Sequence, residues 1–282
     1  MRQPRDDHRG ILDPARLRRE LRFRRQLPAP GLRAWVEHYW LVDWELTAPF
    51  TQHVVPHPAV NVVFQQADGG PESAEIAGVG LTLFSITLTG TGRVSGILFR
   101  PGGFRPFWRR PVAELTNRRC PLGEFPDAFP QPTAAPPAGG AGSAGLSALC
   151  RGTDEERCRA LDAFLTARTP EPDPAAAEAV TLVAEIRADR SIRRVADLAR
   201  RHGISTRRLQ RLFLEHVGVG PKWVIRRYRL QEAIEQAAVA PQDWATLAAD
   251  LGYSDQAHLV RDFTAVTGVS PGAYARALAG GG

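Results

Sequence analysis

The chain has 282 residues, 43% of them apolar and 23% charged, with a formal net charge of +6 and three cysteines. That length suffices for two domains with a core each, while the absence of a membrane-length apolar run, of a secretory leader and of a close CxxC pair argues against a membrane protein, a secreted disulfide scaffold and a zinc finger. A cytoplasmic protein with free thiols is expected, and its basic charge invites a polyanion without identifying one.

Residues 1–25 carry Arg16, Arg18, Arg19, Arg22, Arg24 and Arg25 and lack apolar periodicity. They read as a flexible basic arm. Residues 26–129 read as a β-rich sensor or regulatory domain. Val54–Val55, Val60–Gln65, Leu81–Leu88 and Val94–Arg100 have strand composition punctuated by Gly and Pro, and Leu32–Tyr39 and Val112–Asn117 read as short helices. Two constellations there bear on chemistry. His38, His53 and His57 with Glu37 or Asp43 are metal-type residues, but their spacing fits no zinc pattern, so they read as structural. Trp35, Trp40, Trp44, Phe64, Phe84, Phe99, Phe104, Phe107 and Trp108 suit a hydrophobic core, with an apolar pocket as the alternative. The chain has no nucleophile–base pair and no P-loop, so the expectation is no enzyme, no cofactor and no metal.

Residues 130–174 read as a Pro/Ala/Gly linker with one helix at 153–168. Thr153 and Glu156 form a capping box there, and Cys158, Leu161 and Leu165 repeat on one face. The TPEPDP segment ending at Pro174 breaks the chain again, and residues 175–279 read as all-helical.

This last region repeats itself. At an offset of 49, Ala196, Leu198, Ala199, Gly203 and Ser205 match Ala245, Leu247, Ala248, Gly252 and Ser254. At an offset of 50, Leu209, Arg211, Phe213, Gly218, Val219 and Pro221 match Leu259, Arg261, Phe263, Gly268, Val269 and Pro271. The second copy therefore has one extra residue in its turn. Each copy has helix-turn-helix logic: an apolar stripe, a glycine to end the first helix, and a cap for the second, Ser205 in one and Ser254 or Asp255 in the other. The outward positions are Thr206, Arg207, Arg208, Gln210 and Arg211 in the first copy and Gln256, Ala257, His258, Val260 and Arg261 in the second. Arg suits guanine, Gln adenine, and Val a thymine methyl. Between the copies a helix from Pro221 to about Ala238 would space them by roughly 27 Å, comparable with one DNA turn of about 34 Å. Charge is uneven: residues 187–229 hold 13 Arg or Lys against 3 acids, and residues 230–282 hold 2 against 6.

At ADLA, GIS, LQRLF, GVGPKWV, YRLQEA and LAADLGYSDQAHLVRDFTAVTGVSPGAY the sequence resembles the AraC/XylS family of transcription regulators, over roughly residues 178–279. The resemblance implies seven helices. It implies base-reading roles for Arg207, Gln210 and Arg211 in the first unit and contact roles for Gln256, His258, Val260 and Arg261 in the second. The first copy departs from the family with GVGP in place of GVSP. HYWLVDW, HPAVNVVF, GILFRPGGFRPFW and VAELTNRRCPLGEFPDAF resemble the β-rich sensor-type domain of one subgroup.

The expected fold is therefore α+β in two domains: a small, mostly β N-terminal domain and an all-α C-terminal domain with two helix-turn-helix units joined by a long helix. The expected function is sequence-specific binding of double-stranded DNA by a transcription regulator. Its expected contacts are Ser205, Thr206, Arg207, Arg208, Gln210, Arg211, Lys222, Ser254, Gln256, His258, Val260 and Arg261. RNA polymerase and a small-molecule effector stay open as partners, as do monomer and homodimer. Two rivals also stay open: a metal-dependent enzyme domain fused to a DNA-binding tail, and a DNA-binding protein whose front domain only dimerises.

Overall fold

Antiparallel pairing organises the front half of the chain. The computed structural model describes residues 10–125, 145–239 and 243–279. Strands β1 (Leu21–Gln26), β2 (Val36–Glu45), β4 (Asn61–Ala67), β5 (Ser73–Ala77), β7 (Thr91–Phe99) and β8 (Arg119–Pro121) form one sheet in the order β1-β2-β7-β4-β5-β8. Strands β3 (Phe50–Val54) and β6 (Phe84–Leu88) pair separately. Alternation along each strand gives the large sheet two apolar faces. Tyr39, Val62, Phe64, Ile76 and Ile97 on one face are buried beneath α2 (Arg105–Trp108), α3 (Leu146–Cys150), α4 (Asp154–Thr166) and a 3-10 turn at Val112–Leu115. On the other face Trp44, Val63 and Val94 cluster with Phe50 of β3 and with Leu17 of α1 (Pro14–Glu20).

Three expectations for this half need correction. Leu32–Tyr39 is not a helix: a single 3-10 turn at Pro30–Leu32 leads into β2. The ladder between β2 and β7 slips between Val36 and His38, and such a bulge turns the strand by one residue. Val36 and Tyr39 therefore both face the core, at a spacing of three that mimics a helix. The arm expected over residues 1–25 is ordered structure from α1 onward. Asp13 caps α1 by accepting from the Arg16 N–H at 2.9 Å, and β1 pairs with β2 along its length. Arg24 serves the fold by pairing with Asp43 and Asp154. Residues 1–9 lie outside the described residues.

The third correction concerns the expected linker. Helix α4 has the capping box between Thr153 and Glu156, but it belongs to the front core. Leu161, Phe164 and Leu165 join the main cluster. Arg157, fully buried, donates to Asp43 at 2.7 Å and to Ser95 at 2.9 Å. Most of the Pro/Ala/Gly stretch, residues 126–144, lies outside the described residues.

Seven helices follow among the described residues: α5 (Pro174–Ala188), α6 (Val195–Arg201), α7 (Thr206–His216), α8 (Pro221–Val239), α9 (Trp244–Asp250), α10 (Gln256–Thr267) and α11 (Pro271–Ala279). Helix α8 is common to two cores. Val224, Ile225 and Tyr228 pack with α5, α6 and α7, and Leu230, Ala233, Ile234 and Ala237 pack with α9, α10 and α11. The front half touches both groups. Val79 enters the first core, and Leu12 and Val55 enter the second. Thr116 donates to the Gly218 carbonyl at 2.6 Å, and the Tyr274 hydroxyl donates to the Leu12 carbonyl at 3.0 Å.

Candidate nucleic-acid interface

Helices α6 and α9 end in the same way. The Ile204 N–H reaches back to the Ala199 carbonyl at 3.0 Å, and the Tyr253 N–H to the Ala248 carbonyl at 2.9 Å. In both, the residue just before the N–H donor is a glycine with positive φ, Gly203 at 62° and Gly252 at 78°. This closure satisfies carbonyls left over at a helix end and needs the left-handed backbone that glycine adopts without a Cβ clash.

The turns then diverge by the one residue that the offset predicted. Ser205 caps α7, its hydroxyl accepting from the Arg208 N–H at 3.2 Å. In the second unit the cap moves to Asp255, which accepts from the His258 N–H at 2.7 Å. Ser254 sits beside it and donates to the Asp255 carboxylate at 3.1 Å.

Capping fixes the phase of each second helix. In α7, Leu209, Leu212 and Phe213 are buried, while Thr206, Arg207, Arg208, Gln210 and Arg211 are exposed. In α10, Leu259 and Phe263 are buried, Gln256, Ala257 and Arg261 are exposed, and His258 and Val260 are half-buried. Ser205, Lys222 and Ser254 are also exposed. All twelve anticipated contact residues therefore reach the surface at least in part.

Charge on this surface is less free than its formal count suggests. Arg208 donates to Glu178 at 2.7 Å, and Arg201 donates to Glu185 at 3.0 Å and Asp189 at 2.5 Å. Arg226 holds Asp262 through contacts of 2.6 and 2.7 Å. The two acids beside the α10 face are thus both employed, Asp255 as a cap and Asp262 as the partner of Arg226. Sequence reasoning missed these pairs because their members lie 12 to 36 positions apart, on different helices or turns.

In the front half a cavity of about 450 Å³ opens between the two sheets. Phe23, Trp40, Trp44, Phe84, Ile86 and Leu88 line its body, and Arg25, Glu37, His38, His57, Arg187 and Gln231 line one end. The aromatic set thus divides: Phe64, Phe99, Phe104, Phe107 and Trp108 are core with Trp35 packed against them, while Trp40, Trp44 and Phe84 face the cavity. Burial alone would raise the Glu37 carboxyl, but His57 and Arg187 beside it outweigh burial and hold it well below the usual range. Burial, with the charge of Arg25, pushes His38 down to about 4.

The metal-type residues are brought together only in part, Glu37, His38 and His57 sharing one end of the cavity and His53 and Asp43 lying on other partners. His53 contacts the Ser85 hydroxyl at 2.7 Å, His57 lies 3.8 Å from Glu37, and Asp43 pairs with Arg157. Among the described residues no three His, Cys, Asp or Glu side chains gather as a metal site. No helix among them is long and apolar enough to cross a membrane.

Residues 198–277 match a family model described as a helix-turn-helix domain, and residues 24–121 match one described as a domain of unknown function. No curated protein matches the chain. Solved structures of ToxT from Vibrio cholerae resemble it only distantly. One, at 1.65 Å resolution, is 11% identical with a TM-score of 0.40, over 91% of this chain and 98% of that one. A second, described as bound to unsaturated fatty acid, is 12% identical with a TM-score of 0.40, over 86% and 95%.

Proposed function

Because residues 198–277 form a helix-turn-helix domain of the AraC type, we propose that this protein is a sequence-specific transcription regulator that reads two adjacent major-groove segments of one duplex. The observation that carries this reading is the anchoring of two exposed, capped helix faces to one rod. Helix α8 has 19 residues, about 28 Å of rise, and its two halves are buried in the cores of the two units. A rod of that length suits reading helices about one DNA turn, roughly 34 Å, apart.

In this reading Arg207, Arg208 and Arg211 approach guanine edges, Gln210 and Gln256 suit adenine, and Val260 meets a thymine methyl. Ser205, Thr206, Lys222, Ser254, His258 and Arg261 complete the contact surface, with hydroxyls and cations placed to hold phosphates. The cavity between the sheets is the candidate place for a small-molecule effector. Residues Arg187 of α5 and Gln231 of α8 line it, so an occupant would touch the DNA-binding half directly. The metal-enzyme alternative finds no support, since no metal-type grouping occurs among the described residues.

Selection from a pool of random duplexes by the full chain tests the reading. A recurrent sequence with two conserved parts is expected. Retention of the pool without enrichment of any sequence would exclude specific recognition.

A further inference from the structure

The two units face each other across a cleft of about 310 Å³. Arg193 and Arg194 at the start of α6 form one wall. The turn through Gly252, with His258, forms the other. Lys222, Arg226 and Arg229 of α8 line the floor. Among the described residues no carboxylate lines the cleft, whereas a cleft between α2, α5 and α7 mixes Arg105, Arg109, Arg208 and Arg211 with four acids.

Some of this positive charge is used by the fold. Arg229 is buried and donates to the carbonyls of Ile186 at 3.0 Å and Asp189 at 2.6 Å. Arg226 holds Asp262. Arg193 donates to the Asp250 carbonyl at 2.7 Å, and its stem lies so close to Gly252 that a Cβ there would come within 2.8 Å of Cδ. Arg193 thus ties the entrance of one unit to the turn of the other. Arg194 and Lys222 are exposed, and their side chains have no hydrogen bond or ion pair among the described residues, so the fold leaves their charge unused.

We propose that this cleft is a clamp for DNA backbone phosphates, gripping the strands that flank the minor groove between the two major-groove segments. The inference rests on the two-segment reading above. On one face of a duplex, successive major-groove segments are separated by a minor groove, and a body bridging them overlies its phosphates. The first helix of a helix-turn-helix unit crosses the backbone, and Arg194 is the residue that immediately precedes α6. His258 lines the cleft and also belongs to the α10 face, so the cleft opens beside that reading face. Arg194 and Lys222, whose side chains pair with no carboxylate among the described residues, would neutralise phosphate whatever the base sequence, adding affinity without specificity.

The test compares the wild-type full chain with the double variant Arg194→Ala/Lys222→Ala on a duplex recovered by selection. The double variant should weaken binding to the selected duplex and to a scrambled one by the same factor. Its slope of log affinity against log salt should be shallower by about two. The affinity lost between 50 and 200 mM salt should therefore shrink by about tenfold. Neutral methylphosphonates across the central minor groove should weaken the wild type and leave the double variant unchanged. Arg159→Ala, an exposed charge on α4, should leave the slope as it is, and melting curves check that every variant is folded. An unchanged slope, a loss that depends on sequence, or equal sensitivity to methylphosphonates would overturn the clamp. A wild type that enriches no sequence would instead remove the reading beneath it.

Discussion

Arginine does three jobs in the helical half. Arg229 is buried against backbone carbonyls, Arg208 and Arg226 are paired with Glu178 and Asp262, and Arg207, Arg211 and Arg194 project without partners among the described residues. A surface ion pair contributes about 1 kcal/mol at most, so the Arg208 pair can yield to a phosphate or base. The unpaired arginines start with no such competitor. Arg207→Ala or Arg211→Ala should therefore weaken operator binding by about tenfold or more, the scale of one lost bidentate contact. Arg261→Ala, on the more acidic second unit, should cost less. Titration in a gel-shift assay ranks them, and a larger loss at Arg261 would reverse the assignment of affinity to the first unit. Which residues face outward was legible, because helical period and capping residues set the phase. Their ion pairs were not, because periodicity carries no information about partners on distant helices.

At the scale of elements, local chemistry predicted the repeat well and the front half unevenly. Both helix-ending glycines, the Ser205 cap and the α4 capping box follow from residue types in short windows. The second cap was left between Ser254 and Asp255, since either side chain accepts from a backbone N–H. The structure selects Asp255, which places a carboxylate beside the α10 face. Asn caps a helix about as well as Asp. Asp255→Asn should leave thermal stability unchanged while strengthening DNA binding several-fold at low salt. Asp255→Ala should lower stability by about 1 kcal/mol. Equal binding by wild type and Asp255→Asn would show that this charge lies away from the phosphates. Strand β2 misled because a bulge gave a buried pair, Val36 and Tyr39, at helical spacing. The α1–β1 segment misled because its apolar residues, Leu17, Leu21 and Phe23, sit among arginines.

Across the whole molecule, α8 and the front half determine how the two units are held. Each unit alone has a short helical pair, and α8 supplies one wall of each core. The front half adds Val79 to one core and Leu12 and Val55 to the other, so the units are braced from two sides. The α+β architecture was legible from composition and punctuation. The order β1-β2-β7-β4-β5-β8 was not, because it is set by pairing between distant segments. An apolar pocket was among the readings of the aromatic set, but its sharing with Arg187 and Gln231 emerged only from the structure, for the same reason. A braced pair of units makes a geometric commitment on DNA, and hydroxyl-radical footprinting of the full chain on its selected duplex tests it most directly. Two protected windows on one face of the helix, about 10 base pairs apart, are predicted. A single window, or two on opposite faces, would contradict the claim that α8 holds both units for one duplex.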